Sequence, residues 1–466
     1  MTVQSFTYIL FIPLVWLAWR LIPFPMPRKI VLLCCSYLFY ATWGISFLAI
    51  LILSSVANYG FGEYLRRRPD KSRLCWGIGF NVVILAVFKY LPAVSFTQQS
   101  SLTSKLFVPI GVSFWTFQAL SYLFDLYREE DLDPSLLEFC LYMAFWPTVL
   151  SGPVCRLPEM LPQFRNFHVC WDDVAEGCKR LLIGLFMKVV LAQILASGLQ
   201  AGEGVNAGFD QFSGWGGLDV WALAFGYGFQ LFFDFAGYSN IVIGTARLFG
   251  IRLAENFDHP YLSATPSEFW TRWHMSLSFW IRDYVFLPLA MLRNSLAWRY
   301  GSLLFAMILF GFWHGATVLY LLWGAYHGVL LVGHRALQHL SRRVAVGTAQ
   351  GWSHLFSWSI TFPLMCLGWI LFRANSLGQA FHMFGAVLHP ATYQHLALKA
   401  NFYLITAIMI SGYFAVCGYR WFAERWGQSP LWKRTAWILS PVIYSLLIVG
   451  VIVWSKQKSV FVYMQF

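Results

Sequence analysis

The stretch GSLLFAMILFGFWHGATVLYLLWGAYHGVLLVGHRAL, residues 301–337, decides the class of this chain. It contains no acidic residue, and its first lysine or arginine is Arg335. About 20 apolar residues in a helix cross the hydrocarbon core of a bilayer. Residues 301–317 and 318–337 therefore read as two consecutive spans, or as one long helical hairpin. Working outward, further apolar stretches fall at 6–22, 30–44, 46–65, 76–95, 136–154, 178–199, 218–236, 355–373, 402–419 and 436–454. The hydropathy count is ten to twelve spans in an all-α integral membrane protein.

Composition agrees. The 466 residues are 58% hydrophobic, 19% aromatic and only 12% charged, with a mean hydropathy of +0.57. Soluble domains carry about 25% charged residues, so a water-facing surface cannot be assembled here. The 23 tryptophans and 43 phenylalanines suit membrane interfaces. A net charge of +12 does not indicate nucleic acid, because the basic residues form short clusters between apolar stretches. Nine cysteines contain no CxxC and no disulfide spacing, so neither a zinc site nor a disulfide framework is indicated; no metal and no permanently bound cofactor is expected.

Charge orients the spans. No basic residue precedes the first apolar run, and Arg20, Arg28 and Lys29 follow it, which predicts an uncleaved first span with its N-terminus outside. The loop with Arg66, Arg67, Arg68, Lys71 and Arg73 then lies inside, as do the clusters His334–Arg343 and Arg420–Arg434, while 92–105 carries only Lys105. A C-terminus outside follows. With no visible repeat and no linker, 1–466 reads as one domain, its densest motifs at 107–335.

Two aromatic-rich stretches, 107–128 and 256–290, are interrupted by Pro, Gly and charges. Irregular backbone at membrane depth persists only where protein or a watery cavity covers it, so both read as re-entrant or interfacial pieces around a site. Ionisable groups in such surroundings are costly and point to function. His314 sits between Gly311 and Gly315 in an apolar helix. Glycine costs a helix about 1 kcal/mol against alanine, which suggests close approach of backbone or substrate. An apolar setting favours the neutral imidazole, the form that accepts a proton, although a hydrogen-bonded core histidine fits the same spacing. His274, in TRWHMSLS, would share a helical face with Trp270 and Ser278; an interfacial helix held by tryptophans is the alternative. His327 reads as structural or substrate-lining, and Asp234, Gln230, Tyr238, Ser239 and Asn240 as a polar patch in an apolar run. Asp234 is expected to pair with Arg247 or Arg282, to fix a histidine tautomer, or to join helices. Arg156 either contacts an anion such as a donor phosphate or snorkels.

Taken in order, the motifs SYLFYATWG (36–44), FKYL (88–91), PIGVSFWTFQALSYLFDLYR (109–128), FWPTVLSGPVCR (145–156), DFAGYSNIVIGTARLFGIRLAENFDHPY (234–261), FWTRWHMSLSFWIRDYVFLPL (269–289), GFWHGA (311–316), GWILFRANSLGQA (368–380) and FVYMQF (461–466) resemble the membrane-bound O-acyltransferase (MBOAT) family. The similarity is to its bacterial branch, which includes the alginate O-acetylation and teichoic-acid D-alanyl transfer proteins. The resemblance implies helices in a ring around a central funnel, where a cytoplasmic donor meets an acceptor from the other side. It implies His314 as general base and His274 as its companion lining the tunnel. Trp313, Trp270, Trp273, Arg282, Asp283, Asp234, Tyr238, Ser239, Asn240, Gln118, Arg156 and His327 are the candidate donor- or substrate-lining residues. Departures fall at Asn240, where the family pattern often has an acid, at Ala254, where it has proline, and at 289–295.

The expected activity is transfer of acetyl from acetyl-CoA across a bacterial inner membrane to an extracytoplasmic polysaccharide, alginate- or cellulose-like, with a periplasmic partner. Peptidoglycan O-acetylation and D-alanyl transfer are the alternatives within the family. A flippase or transporter of an acyl carrier is the alternative outside enzymology. A reporter inserted at 66–73 should read cytoplasmic and one at 92–105 extracytoplasmic; the opposite pattern in a reporter-fusion assay rejects this topology.

Overall fold

The computed structural model describes residues 1–91, 108–199, 202–211, 213–341 and 352–455. The loop 92–105 with Lys105, the pair Arg342 and Arg343, and the closing FVYMQF lie outside the described residues. All regular elements among the described residues are helical, apart from an isolated antiparallel bridge between Phe257 and Trp273. The chain is an all-α integral membrane protein.

Seven described helices are long and apolar enough to cross a bilayer: Ile45–Arg67, Lys71–Tyr90, Trp171–Ser197, Leu296–His314, His354–Arg373, Ala400–Trp426 and Lys433–Trp454. Other stretches counted by hydropathy are built differently. Phe6–Arg20 and Pro25–Ala41 are helices of 15 and 17 residues. Residues 136–154 do not form one span: Leu136–Ala144 stops at Phe145, and a four-residue turn, Trp146–Val149, begins anew. Pro147 explains the break, since it has no N–H for a bond to residue 143 and its ring would meet that carbonyl. Residues 218–236 belong to a 32-residue helix, Gly217–Leu248.

The hairpin at 301–337 is present as Leu296–His314 and Val318–Ser341, joined by Gly315, Ala316 and Thr317. Glycines set its closeness. A Cβ on Gly311 would lie 2.1 Å from the Tyr320 carbonyl oxygen, and one on Gly324 would lie 2.3 Å from that of Met307. The two backbones touch, a packing that membrane helices obtain from small residues because lipid offers no hydrophobic drive between them. Gly311 therefore serves helix contact rather than substrate approach.

The chain divides into two compact units. The first comprises Met1–Leu181, Ser239–Asn256 and His274–Val285. Within it, Val112–Tyr127 is a continuous core helix; all its residues except Phe124 and Tyr127 are buried. A helix apolar around its whole circumference is stable only when surrounded. Lys29 donates to Glu138 at 2.6 Å, and Arg165 reaches the same carboxylate at 3.3 Å.

The second unit comprises Leu182–Tyr238, Phe257–Trp273 and Phe286–Phe466. Its described C-terminal helix, Pro430–Trp454, leaves Trp437, Val442, Leu446 and Ile452 exposed, the apolar exterior a bilayer requires. Inside the unit, Lys188 forms an ion pair with Asp234, and both are buried. Lys188 lies on a π-helical turn, Met187–Leu191, and Asp234 on Gly217–Leu248. Asp234 thus pairs with neither Arg247, which binds Asp173 at 2.8 Å, nor Arg282, which binds Asp283 at 2.6 Å. An acid and a base both deprived of water each need the other, because an isolated buried charge costs several kcal/mol. Lys188→Met alone should therefore destabilise the detergent-solubilised protein by about 3–5 kcal/mol. The double change Lys188→Met with Asp234→Leu should cost far less. Equal losses of thermal stability in the two variants would contradict this pairing.

Candidate active site

His314 is the last residue of its helix, with Gly315 following at φ −176° and ψ 151°. The histidine stands at the hairpin turn rather than deep within the helix, yet it is buried. Aromatic rings pack around it: Trp313 at 4.7 Å, Phe372 at 4.9 Å, Phe310 and Trp323 at 5.2 Å and Tyr320 at 6.2 Å between centroids. Phe310 and Trp313 come from the same helix and Tyr320 and Trp323 from the return helix. Phe372 comes from Trp352–Arg373. Such walls hold an imidazole in one orientation and exclude water, two conditions for proton transfer from a bound hydroxyl. Trp270 joins the same wall through Phe310 at 5.4 Å and Trp323 at 5.8 Å.

His274, in the other unit, is held by a polar network. It does not continue a helix through Trp270 and Ser278. It interrupts one, taking φ 42° and ψ 54° between Pro266–Arg272 and Met275–Ile281. The left-handed region costs a non-glycine residue about 1–2 kcal/mol and persists only where surroundings enforce it. Asn256 does so twice. Its backbone carbonyl accepts from Met275 N–H at 2.9 Å, and its side-chain oxygen lies 3.3 Å from His274 Nδ1 and accepts from Ser276 Oγ at 2.6 Å. The Asn256 amide nitrogen donates to Ser239 Oγ at 3.1 Å, so its oxygen can only accept. That assigns the proton of neutral His274 to Nδ1. Ser276 Oγ in turn accepts from Val154 N–H at 2.9 Å, tying the broken SGPVCR stretch to this turn.

Other candidates disperse. Arg156 forms an ion pair with Asp283 Oδ2 at 2.8 Å and stacks on Tyr284 at 5.0 Å. Burial raises the Asp283 carboxyl, but hydrogen bonds from Arg282 and Arg156 override this and hold it below the usual carboxylate range. Arg128 donates to the Asp283 carbonyl at 2.7 Å. Gln118 is buried 3.5 Å from the Tyr142 carbonyl. Tyr238 is buried, and Asn240 lies half-buried on the helix Gly217–Leu248. Trp273 packs on Trp369 at 4.8 Å and Phe269 at 5.5 Å. His327 lies between Trp270 at 5.3 Å and Trp323 at 5.1 Å.

Sequence reading missed Asn256, Ser276 and Lys188. The first two stand inside recognised motifs but carry no charge to mark them. Lys188 is the one charged residue in the apolar run 181–199, a signal that was legible.

A multi-pass helical membrane protein with histidines buried among tryptophans and a tautomer-fixing asparagine has the parts of an intramembrane acid–base enzyme. The family model described as MBOAT, membrane-bound O-acyltransferase family, matches residues 2–378, and the chain belongs to that family. It is 36% identical to the alginate O-acetylase AlgI of Pseudomonas aeruginosa, over 79% of this chain and 71% of that one. It is 30% identical to a peptidoglycan O-acetyltransferase of Helicobacter pylori, over 82% and 78%. It is also 32% identical to a teichoic acid D-alanyltransferase of Streptococcus thermophilus, over 64% and 70%. The protein is a membrane O-acyltransferase.

Asn256→Leu removes the acceptor from His274 and Ser276 and the donor from Ser239. Each buried polar group left unpaired costs about 1–3 kcal/mol, so acyl transfer should fall at least about tenfold. Asn256→Gln should recover part of it. Wild-type turnover by Asn256→Leu, measured per mole of folded protein, would show that the network does not hold the site.

Proposed function

We propose that this chain takes acetyl from acetyl-CoA at the cytoplasmic face of a bacterial inner membrane and passes it toward an extracytoplasmic polysaccharide, alginate- or cellulose-like. A periplasmic acetyltransferase partner completes the transfer, and both termini face the periplasm. The observation that carries this reading is His314, buried among aromatic rings at a helix end, in a chain whose O-acetylating relatives match most of its length. The whole chain, 1–466, acts as one catalytic domain.

His314 is the general base. It accepts the acceptor hydroxyl proton as that oxygen attacks the thioester carbonyl carbon. Collapse of the tetrahedral intermediate breaks the carbon–sulfur bond, and the proton passes from His314 to the leaving thiolate. The new C–O bond replaces the C–S bond, and no oxidant or metal is consumed. His274, protonated at Nδ1 toward Asn256, holds donor or acceptor by hydrogen bonding, the role the family resemblance implies. The aromatic enclosure supports this scheme because proton transfer is efficient when the base is positioned and shielded from water.

Purified protein in liposomes with labelled acetyl-CoA tests it. Wild-type protein should release CoA and, with its periplasmic partner supplied, label an acceptor polysaccharide, whereas His314→Ala should lose about 10²–10⁴-fold in rate while staying folded in the membrane. Undiminished transfer by His314→Ala removes the assignment. Transport of intact acyl-CoA without CoA release would favour a flippase. Labelling from a D-alanyl carrier or of peptidoglycan, but not from acetyl-CoA to a polysaccharide, would shift the substrate within the family.

A further inference from the structure

Of the five rings described around His314, four belong to its own hairpin and Phe372 does not. Phe372 is buried, and it also touches Tyr320 at 5.1 Å and Trp323 at 5.2 Å. Its place in the chain is a weak one. It is the last residue but one of Trp352–Arg373, and the final turn of a helix has no onward partners for its carbonyls and frays readily. Keeping this ring on His314 requires that the turn be held from outside the helix.

Arg373, the next residue, is where it is held. Its Nη2 donates to both oxygens of Asp210, at 2.8 and 2.9 Å, and its Nη1 donates to Asn375 Oδ1 at 3.2 Å. Asn375 Nδ2 closes the ring by donating to Asp210 Oδ1 at 3.0 Å. The short helix Val205–Asp210 is gripped at a second point. The Arg373 guanidinium stacks over Phe209 at 5.3 Å, and Gln379 Nε2 donates to the Phe209 carbonyl at 2.6 Å. Gln379 Oε1 in turn accepts from the Asn375 N–H at 2.7 Å. An exposed ion pair by itself contributes little, whereas a network of several groups with a stacked guanidinium fixes geometry. The Asp210 side chain is 47% exposed and that of Arg373 is 19%, so the ring stands at the surface of the second unit with Phe372 just inside it.

We infer that Arg373, with Asp210 and Asn375, is a positioning residue for acyl transfer: the ring pins the last helical turn and so keeps Phe372 against His314. The inference rests on the reading of His314 as general base. A base is effective in one orientation and away from bulk water, and a displacement of about 1 Å can lower a rate about a hundredfold. Without the ring the last turn unwinds, the Phe372 edge leaves the imidazole, and the base loses its orientation. Substrate affinity is untouched, so kcat falls while KM holds.

Arg373→Gln, Phe372→Leu and the double variant test this in liposomes, by CoA release from acetyl-CoA per mole of folded protein with the periplasmic partner supplied. Arg373→Gln should lower kcat about tenfold at unchanged acetyl-CoA KM. Phe372→Leu should lower it at least as much, and adding Arg373→Gln to Phe372→Leu should cost nothing more, because both act through one contact. Unchanged kcat in Arg373→Gln overturns the inference. So does a raised acetyl-CoA KM at unchanged kcat, or losses that multiply in the double variant, which would mean that the ring supports the fold elsewhere. Should Arg373→Gln fail to reach the membrane folded, Asp210→Ala at its exposed position is held to the same criteria. Wild-type protein that does not turn over acetyl-CoA, or His314→Ala that matches wild type, would instead reject the reading of His314 on which the inference rests.

Discussion

A bilayer interior offers no water to hydrogen-bond a polar atom, and this constraint governs the rest of the structure. Backbone groups answer it by forming helices wherever the chain meets lipid. Side chains answer it by finding one another. Lys188 and Asp234 are tolerable only as a pair, and Asn256 distributes its amide among Ser239, Ser276 and His274. Where the helical pattern is broken at Phe145 and at His274, the break lies among buried residues.

The same constraint gives the histidines their chemistry. A neutral imidazole is among the few groups that can sit in dry surroundings and still exchange a proton. His314 is held by rings that restrict it without charge. His274 is held by an amide that dictates which nitrogen bears hydrogen. The first arrangement suits a base that must gain and lose a proton in each cycle. The second suits a residue whose tautomer is fixed.

Much of this was legible in the residues. Apolar length and charge bias marked the membrane class, and glycine on either side of His314 marked a crowded place. Reading failed where neutral polar residues or proline set the geometry. Asn256 looks ordinary in a sequence, because an amide becomes informative only when its partners are known. The interval 136–154 looked like a span because hydropathy averages over Pro147. Asp234 left an arginine pair, a histidine partner and a helix-to-helix bond open, while the structure pairs it with a lysine in an apolar run.

What the sequence determined by itself was the solvent of this protein and its helical class. Those follow from composition, periodicity and ordered motifs, which are properties of the chain read in line. Only the tertiary structure decided which groups answer one another. It showed that Gly311 serves helix contact, that His274 is strained and tautomer-fixed, and that His314 closes a helix within a wall of aromatic rings. Those depend on residues far apart in the chain, such as Tyr320 and Phe372 or Asn256 and Ser276, meeting at distances that no linear spacing encodes.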